Sequence, residues 1–433
     1  MKKVVFGITG LTVGGAERVL IDLANKLVDD ENYEISIFTL YEKGALEKEL
    51  DKRVKRISLY DFAFNEKSKL KRLQIVCNVL FNRKRIYKKY IKNKFDVEIA
   101  FLEGPITRIF STKNKNKNIK KVAWIHNDIQ KVFGLNLKSK IKRVIDRNIY
   151  ERFNTIIFVS NDNMDSFNRV YDDMALPYER VVQNYIDKNR IKELSKDKDG
   201  VKDASKIFDD DEINIVQVSR LVPQKNVERL VEAHKEVFDK GYKHHIYILG
   251  DGPERAKIEK RIKELKVEDT FTLLGQKVNP YPYIKKADYF SLFSNFEGWP
   301  MVVEEAKILN KFILVTDTAV REVIADYKEY SKIAENSKEG IVRLLEDAIK
   351  NYKHYLGIKV NYEYDDSKII DKVKKQIDVM EETKDFYKKN VEKIEGKDYS
   401  LKNNKILSKK DKEEIKKTKN ELKRRIKKVN TKK

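Results

Sequence analysis

Short runs of apolar and β-branched residues alternate along this chain with longer stretches in which apolar residues recur at helical spacing. The first run covers residues 3–8. In the stretch that follows, Val19, Leu23 and Leu27 fall on one side of a helix predicted over 15–27. Apolar runs of strand length that alternate with amphipathic helices are typical of a parallel sheet covered by helices. The pattern therefore predicts an α/β fold.

Two series of predicted strands are separated by a polar bridge, residues 188–211, that is rich in lysine and aspartate. The first series is 3–8, 33–39, 97–101, 121–125 and 155–159, and the second is 213–219, 245–249, 271–274, 289–293 and 312–315. Each series predicts a doubly wound domain, which binds ligands at the carboxyl ends of its strands. We expect the active site in a cleft between the two domains.

The predicted domains are 1–187 and 188–360, followed by a helix at 361–381 that packs back on the first domain and by a Lys-rich tail at 382–433. Glycines at 7, 10, 14 and 15 interrupt the apolar start of the chain, which favours a first strand over a signal peptide. Because no run of about eighteen apolar residues occurs, any membrane contact is expected to be peripheral.

Composition and charge narrow the class of protein. The 433 residues are 41% hydrophobic, which is enough for two cores, and 92 Lys and Arg against 69 Asp and Glu give a net charge of +23. Such a positive field attracts phosphates, nucleic acid or anionic lipid. Cys77 is the one cysteine, which excludes an internal disulfide or a cysteine-based zinc cluster and indicates a reducing compartment such as the cytosol.

The positive charge is concentrated in two zones. Residues 401–433 hold 15 Lys and Arg against 4 Asp and Glu, with a thin apolar stripe that predicts a basic helix around 411–429. In 67–94, cations alternate with apolar residues at helical spacing, which predicts a helix lying on an anionic membrane surface. The alternatives are a solvated tail and a charged helix packed on the sheet in the usual way.

Two motifs that follow predicted strands could bind phosphate. In 249–254, Gly250 permits a tight turn from strand to helix, although an ordinary turn explains it equally well. In 218–226, Arg220 and Lys225 lie five residues apart on a loop before a helix. The arginine as a fork and the lysine as a point charge could converge on one diphosphate, or both could be solvated surface cations.

The third motif, residues 294–306, places two carboxylates around a glycine. Glu297 is expected at the end of a strand, and Gly298 lets the backbone approach a ligand. Glu305 lies about two turns further on, along the next helix. One carboxylate could bind a sugar and the other the vicinal hydroxyls of a ribose. Alternatively, Glu297 only starts the helix and Glu305 is an exposed helix residue.

In their order along the chain, the segments SRLVPQKN, ILGDGPE, LLG, ADYFSLFSNFEGWPMVVEEA and VTD resemble the retaining glycosyltransferases of family 4. The first half agrees, with GGAER at 14–18, WIHND at 124–128, FVS at 158–160 and QNYID at 183–187. The resemblance covers about residues 1–380. It implies the GT-B fold, in which two Rossmann-like doubly wound domains face each other across a cleft, here with a basic C-terminal tail.

The resemblance implies a role for individual residues. Arg220 and Lys225 match the cations that hold the donor diphosphate in place of a metal ion, so no metal or other cofactor is expected. Glu297 matches the carboxylate near the donor sugar, and Glu305 the one on the nucleotide ribose. The other matched donor-site positions are Gly250, the backbone of Gly298, Trp299, Pro300 and Met301, the amino-terminal glycines Gly14 and Gly15, and the cleft histidine His126. Pro300 has no amide donor to offer.

The function predicted from these observations is that of a retaining, metal-independent hexosyltransferase. It would take a hexose or N-acetylhexosamine from a nucleotide diphosphate sugar, with UDP expected, and pass it to a glycan or lipid-linked acceptor in surface polysaccharide synthesis. We expect it in the cytoplasm, peripheral on the inner face of the membrane, with the basic zones 67–94 and 401–433 on anionic lipid and no nucleic acid as a partner. The alternatives are a nucleotide-sugar epimerase of the same fold, a basic nucleic-acid-binding protein and a non-catalytic partner subunit.

Overall fold

The computed structural model describes residues 1–63, 69–129, 131, 149–171, 178–209 and 211–379. The chain forms two compact units. Of the described residues, the first comprises those within Met1–Val159, Met164–Val182 and 371–379, and the second those within Ser160–Asn163 and Gln183–Ile370. The predicted tail at 382–433 lies outside the described residues.

The first unit contains a seven-stranded parallel sheet. Its strands are β1 (Lys2–Ile8), β2 (Tyr33–Tyr41), β3 (Lys55–Tyr60), β4 (Val97–Ala100), β5 (Lys120–Ile125), β6 (Thr155–Phe158) and β7 (Tyr178–Val181), in the order β3-β2-β1-β4-β5-β6-β7. All five predicted strands are present. The two edge strands, β3 and β7, were not predicted because their residues are exposed or half-buried and form no continuous apolar run.

In the described part of this unit, the sheet is accompanied by the helices α1 (Gly15–Leu27), α2 (Lys69–Tyr90), α3 (Pro105–Phe110) and α4 (Asn161–Val170). The first three residues of α4 group with the second unit. The apolar side of α1, predicted from its spacing, is buried. Helix α2 contributes Ile75, Val79, Ile86 and Tyr87 to the core beneath the sheet. The helix thus packs on the sheet with one face.

The second unit contains a six-stranded parallel sheet. Its strands are β8 (Asn214–Val218), β9 (His245–Leu249), β10 (Phe271–Gly275), β11 (Tyr289–Leu292), β12 (Phe312–Thr316) and β13 (Ser331–Ala334), in the order β10-β9-β8-β11-β12-β13. The five predicted strands are again present. The edge strand β13 was missed because it has only four residues, two of them exposed.

The helices of the second unit include two in the segment predicted as a polar bridge. Of the helices of this unit, the two in that segment are α5 (Lys188–Leu194) and α6 (Lys198–Ile207). The others are α7 (Val227–Asp239), α8 (Arg255–Leu265), α9 (Tyr281–Lys286), α10 (Met301–Ile308), α11 (Val320–Val323), α12 (Lys338–Lys350), α13 (Tyr352–Gly357) and α14 (Asp366–Asp378). The description of 188–211 as a bridge was therefore incomplete. Both α5 and α6 begin at an aspartate whose carboxylate caps the helix, Asp187 and Asp197.

Helix α14 begins in the second unit, and its residues from Asp371 onward belong to the first. In the first unit Asp378 accepts a hydrogen bond from the Tyr33 hydroxyl at 2.6 Å and forms an ion pair with Lys2 at 2.9 Å. Lys374 lies 2.6 Å from Asp30. These bonds attach the end of α14 to β1, β2 and the loop before β2.

Both sheets reverse their strand order at one place, between β1 and β4 in the first unit and between β8 and β11 in the second. In the second sheet Ser291 is in register with Gln217, so the loops after β8 and β11 leave the sheet side by side. Such switch points are where doubly wound sheets bind ligands, because the two neighbouring loops diverge to opposite faces. In the described part of the chain, no helix is both long enough and apolar enough to cross a bilayer.

Candidate functional site

The switch point of the second sheet brings Lys225 and Glu297 together. The Lys225 Nζ lies 2.5 Å from Glu297 Oε1, and their side chains are 13% and 6% exposed. Gln224 supports the pair by donating from Nε2 to the carbonyl of Phe296 at 2.9 Å and, more weakly, to Glu297 Oε2 at 3.4 Å. A shielded lysine and a carboxylate, held at the carboxyl ends of two neighbouring strands, form a polar centre suited to a charged ligand.

Arg220 lies two residues beyond β8 and is exposed. Its guanidinium forms no hydrogen bond or ion pair with any residue that the structure describes. The neighbouring backbone is fixed, because the Ser219 and Leu221 amides donate to the carbonyls of Leu249 and Asp251 at 3.0 and 2.9 Å. Arg220 therefore projects from a rigid loop, and its predicted convergence with Lys225 on a diphosphate remains a prediction.

Gly250 explains how the loops after β8 and β9 approach so closely. Its φ is +150°, and a Cβ at this position would overlap the carbonyl oxygen of Ser219. Any larger residue would push the two loops apart. Gly250 thus holds Ser219 and its neighbour Arg220 in place, whether or not the glycine itself contacts a donor.

Glu305 is buried on α10, with only 7% of its surface exposed. The hydroxyl of Tyr281 donates to Glu305 Oε1 at 3.3 Å. Burial contradicts the alternative reading of Glu305 as an exposed helix residue. A carboxylate accepts hydrogen bonds, which is the chemistry that binding of ribose hydroxyls requires.

The residue before Glu305 is buried as well and has a different set of partners. Glu304 accepts a hydrogen bond from the Tyr362 hydroxyl at 2.7 Å and pairs with Lys307 at 3.0 Å. Burial raises the pKa of Glu304, although Lys307 opposes this shift. Lys307 in turn contacts Asp326 at 2.7 Å. These bonds anchor α10 from its inner side, and no pattern in the sequence distinguished them.

The segment between the two carboxylates differs in one respect from the expectation. Glu297 was placed at the end of a strand, but β11 ends at Leu292, so Glu297 lies on the loop that leads to α10. Pro300 is the N-cap and Met301 is the first helical residue. The indole Nε1 of Trp299 is buried and has no hydrogen-bond partner among the described residues.

In the first unit the predicted glycines lie at the switch point between β1 and β4. Gly14 is the N-cap of α1 and Gly15 is its first residue. The carbonyl of Gly14 accepts the first helical hydrogen bond, from the Arg18 amide at 3.0 Å. A Cβ on Gly14 would overlap the carboxylate of Glu17. The carboxylate of Glu17 therefore lies against the start of this helix, where the helix dipole favours a negative charge.

His126 directly follows β5 and is half-buried against the ring of Phe101, at a centroid distance of 4.6 Å. Its Nε2 is buried and has no hydrogen-bond partner among the described residues. Desolvation lowers the pKa of His126 to about 3. The imidazole is therefore neutral near pH 7, and it can exchange a hydrogen bond with a ligand but carries no charge.

Glu103, which the sequence analysis missed, organises the turn that carries His126. Its Oε1 accepts hydrogen bonds from the amides of His126 and Asn127 at 2.6 and 2.8 Å, and its Oε2 accepts one from Asn127 Nδ2 at 3.0 Å. Burial raises the pKa of Glu103 against the opposing effect of these bonds. A carboxylate followed by Gly104 after an apolar strand was the available signal.

The basic zone 67–94 contains helix α2, whose outer face is charged. Lys84, Arg85, Lys88 and Lys89 are exposed, and Phe81 is 85% exposed. Because Ile86 and other residues of α2 are buried in the core, the alternative of a charged helix packed on the sheet describes one face. The cations and Phe81 remain available on the other. Residues 67 and 68 lie outside the described part of the chain.

Within the described ranges, no three His, Cys, Asp or Glu side chains lie close enough together to hold a metal ion.

Comparisons with known proteins agree with this architecture. The family model described as Glycosyltransferase Family 4 matches residues 13–190, and the one described as Glycosyl transferases group 1 matches residues 199–361. An uncharacterized glycosyltransferase from Methanocaldococcus jannaschii is 27% identical over 329 residues, which cover 70% of this chain and 76% of the relative.

The name of a second relative states the reaction that this relative catalyses. The N-acetylgalactosamine-N,N'-diacetylbacillosaminyl-diphospho-undecaprenol 4-alpha-N-acetylgalactosaminyltransferase of Campylobacter jejuni is 26% identical over 278 residues, or 60% of this chain and 70% of the relative. Among solved structures, Anabaena HepE in complex with UDP-glucose has a TM-score of 0.67 at 16% identity and covers 87% of this chain and 99% of its own. The chain is therefore a family 4-like glycosyltransferase with an α/β GT-B fold.

Proposed function

We propose that this glycosyltransferase transfers a hexose or N-acetylhexosamine from UDP to a membrane-associated glycan, with retention of the anomeric configuration and without a metal ion. The observation that carries the proposal is the Lys225–Glu297 pair at the switch point of the second sheet, followed on α10 by the buried carboxylate of Glu305. A cation paired with one carboxylate, with a second buried carboxylate on the helix that follows, suits a ligand whose diphosphate separates a sugar from a ribose.

The proposed role of Lys225 begins with its ion pair. Before a donor binds, Glu297 neutralises the lysine, so the site is closed to weakly held anions. A donor diphosphate brings two negative charges, and Lys225 can turn to it while Glu297 accepts hydrogen bonds from the sugar hydroxyls. Arg220, fixed on the loop after β8, adds the second cation. Glu305 binds the ribose.

Bond cleavage follows from the same charges. As the bond between the anomeric carbon and the diphosphate oxygen breaks, negative charge grows on the leaving group. Preorganised cations stabilise that charge by a few kcal/mol each. These fixed charges do the work of a metal ion, so we propose that no metal is needed. The acceptor hydroxyl attacks from the face that the diphosphate leaves and passes its proton to a phosphate oxygen.

Glu297 is not assigned the role of a covalent nucleophile. Its carboxylate is engaged by Lys225 and Gln224, which fits binding of the donor sugar better than attack on the anomeric carbon. His126, neutral near pH 7, is proposed to exchange a hydrogen bond with the donor sugar, and Gly14 and Gly15 to leave room for phosphate and acceptor.

The identity of the donor and acceptor is supported by the relatives. HepE was solved in complex with UDP and with UDP-glucose, and the name of the Campylobacter relative specifies a diphospho-undecaprenol acceptor. The exposed cations and Phe81 of α2 suit an anionic membrane surface, where such an acceptor is found. These features favour a lipid-linked glycan over a soluble sugar.

A panel of UDP-, GDP- and ADP-sugars tests the proposal. Each is measured for thermal stabilisation of the protein and for slow hydrolysis in the presence of EDTA, since a bound donor raises the melting temperature by mass action. We expect UDP-sugars to stabilise and to be turned over, and Lys225→Ala to abolish turnover. Stabilisation by a GDP- or ADP-sugar instead of a UDP-sugar would contradict UDP as the nucleotide of the donor. Loss of turnover with EDTA would contradict the metal-free mechanism. Release of a free epimer would indicate an epimerase.

A further inference from the structure

Asn295, on the loop after β11, bonds to two other loops at the switch point of the second sheet, and all four of its polar groups are used. Its amide donates to the carbonyl of Gln224 at 2.9 Å, and its side-chain Nδ2 donates to the carbonyl of Pro223 at 3.1 Å. Its Oδ1 accepts from Asn226 Nδ2 at 3.0 Å, and its carbonyl accepts from Asn336 Nδ2 at 2.9 Å. Asn295 therefore joins the loops after β8, β11 and β13.

These bonds surround the two charged residues of the site. Pro223, Gln224 and Asn226 flank Lys225 on both sides, while Asn295 itself lies two residues before Glu297. Three of the four bonds thus fix the segment that carries the lysine relative to the segment that carries the carboxylate. The fourth, from Asn336, holds Asn295 from the neighbouring loop.

The conformation of Asn226 adds to this argument. It adopts a left-handed backbone, with φ of 42° and ψ of 48°, immediately after Lys225 and at the N-cap of α7. Asparagine tolerates this region better than other residues with a Cβ, and only glycine does so at no cost. Its side chain makes the bond to Asn295. The turn that follows the lysine is therefore held both by its own dihedral angles and by Asn295.

We propose that Asn295 is a positioning residue, which sets the location of Lys225 relative to Glu297 and so aligns the cation with the donor diphosphate. This inference rests on the proposed function of the site. Asn295 touches neither donor nor acceptor in this scheme and acts through the lysine. A displacement of about 1 Å at a catalytic group can reduce the rate by about 100-fold, so a small shift of the loop has a measurable effect.

The second sheet offers a matched control at its other end. Asn214 is the first residue of β8, is 4% exposed and donates from Nδ2 to the carbonyls of Asp209 and Glu212 at 2.6 and 2.8 Å. Its amide donates to Asp288, which directly precedes β11, at 2.8 Å. Asn214 therefore joins the same two strands as Asn295 does, but at their amino ends, away from Lys225.

The experiment compares Asn295→Ala with Asn214→Ala in melting temperature, kcat and KM for the sugar nucleotide. We expect both variants to melt earlier. Asn295→Ala is expected to lose kcat by about 10- to 100-fold, whereas the kcat of Asn214→Ala stays within about 2-fold of the wild type because the reacting groups are undisturbed. An equal effect of the two substitutions on kcat overturns the inference, since Asn295 would then serve stability alone.

A double-mutant cycle identifies the residue through which Asn295 acts. UDP affinity is measured for Asn295→Ala, Lys225→Ala and the double variant, because binding remains measurable when turnover is lost. If Asn295 acts through the lysine, its substitution has no further effect in the Lys225→Ala background. Additive losses overturn the inference.

Asn226→Gly provides a milder test if Asn295→Ala folds poorly. Glycine keeps the left-handed backbone and removes only the side-chain bond to Asn295, so a smaller loss of kcat of the same kind is expected. An unchanged kcat contradicts the inference. Wild-type protein that neither binds UDP nor turns over a sugar nucleotide contradicts the proposed function itself, whereas active wild type with an unaffected Asn295→Ala contradicts the positioning role only.

Discussion

A chain of buried histidines in the second unit predicts that the protein loses stability in mild acid. His244 Nδ1 lies 2.9 Å from the carbonyl of Tyr242 and must donate to it, so His244 Nε2 is an acceptor. His234 Nδ1, 2.8 Å away, therefore donates to His244 Nε2, and His234 Nε2 accepts from the Thr270 hydroxyl at 2.8 Å. Each ring is neutral and has one defined tautomer.

The pKa values of the two rings give the size of the effect. Desolvation lowers the pKa of His234 to about 2 and that of His244 to about 4, from an ordinary value of 6.5. Their contribution to stability is complete above pH 6.5 and declines as the pH falls towards 4, because only the unfolded chain binds the proton in that range. From pH 7 to pH 5 each ring loses about 2 kcal/mol, and the pair loses about 4 kcal/mol.

Urea unfolding at pH 7, 6 and 5 measures this loss. The chain has two tryptophans, Trp124 in the first unit and Trp299 in the second. In a Trp124→Phe background, tryptophan fluorescence therefore reports on the second unit alone. In that background His234→Gln/His244→Gln cannot titrate. We expect the free energy of unfolding to fall by about 4 kcal/mol more from pH 7 to pH 5 in the parent than in the double variant. Parallel pH profiles for the two proteins would refute the reasoning.

Four further predictions concern other parts of the molecule. Glu305→Gln is expected to weaken UDP binding by about 10- to 100-fold in calorimetry, because a hydrogen bond to a charged group contributes about 1.5–3 kcal/mol; unchanged affinity would remove Glu305 from the ribose site. Glu98→Ala leaves Lys121, 3.0 Å away and buried, without its counter-ion, and is expected to cost about 3–5 kcal/mol in urea unfolding; a loss below about 1 kcal/mol would show that the lysine finds another partner. Gly250→Ala is expected to lower both the melting temperature and kcat, since the loop carrying Arg220 must move; normal kinetics would show that the loop tolerates a Cβ. Phe81→Ser should reduce cosedimentation with anionic lipid vesicles without changing the melting temperature, as the ring is 85% exposed; unchanged cosedimentation would exclude this face of α2 as the lipid contact.

The sequence was sufficient to predict the central strands of both sheets. Strands such as β8 and β9 are buried on both faces, so they appear as continuous apolar runs with a turn at each end. The edge strands β3 and β13 have exposed positions that resemble loop sequence, and they were missed. Helices α5 and α6 were hidden for a related reason: they are short and polar, and they form because aspartates cap them and the second unit buries one side.

For the candidate site, the local motifs predicted Lys225, Glu297 and Glu305, because these residues stand on loops and a helix that follow strands. Which residues support them depended on the order of the strands. Gln224 and Asn295 lie about seventy residues apart in sequence and meet only because β8 and β11 are neighbours. Glu103 reaches His126 only because β4 adjoins β5. A linear pattern records which side chains leave the ends of strands, whereas the pairing of strands decides which of them meet.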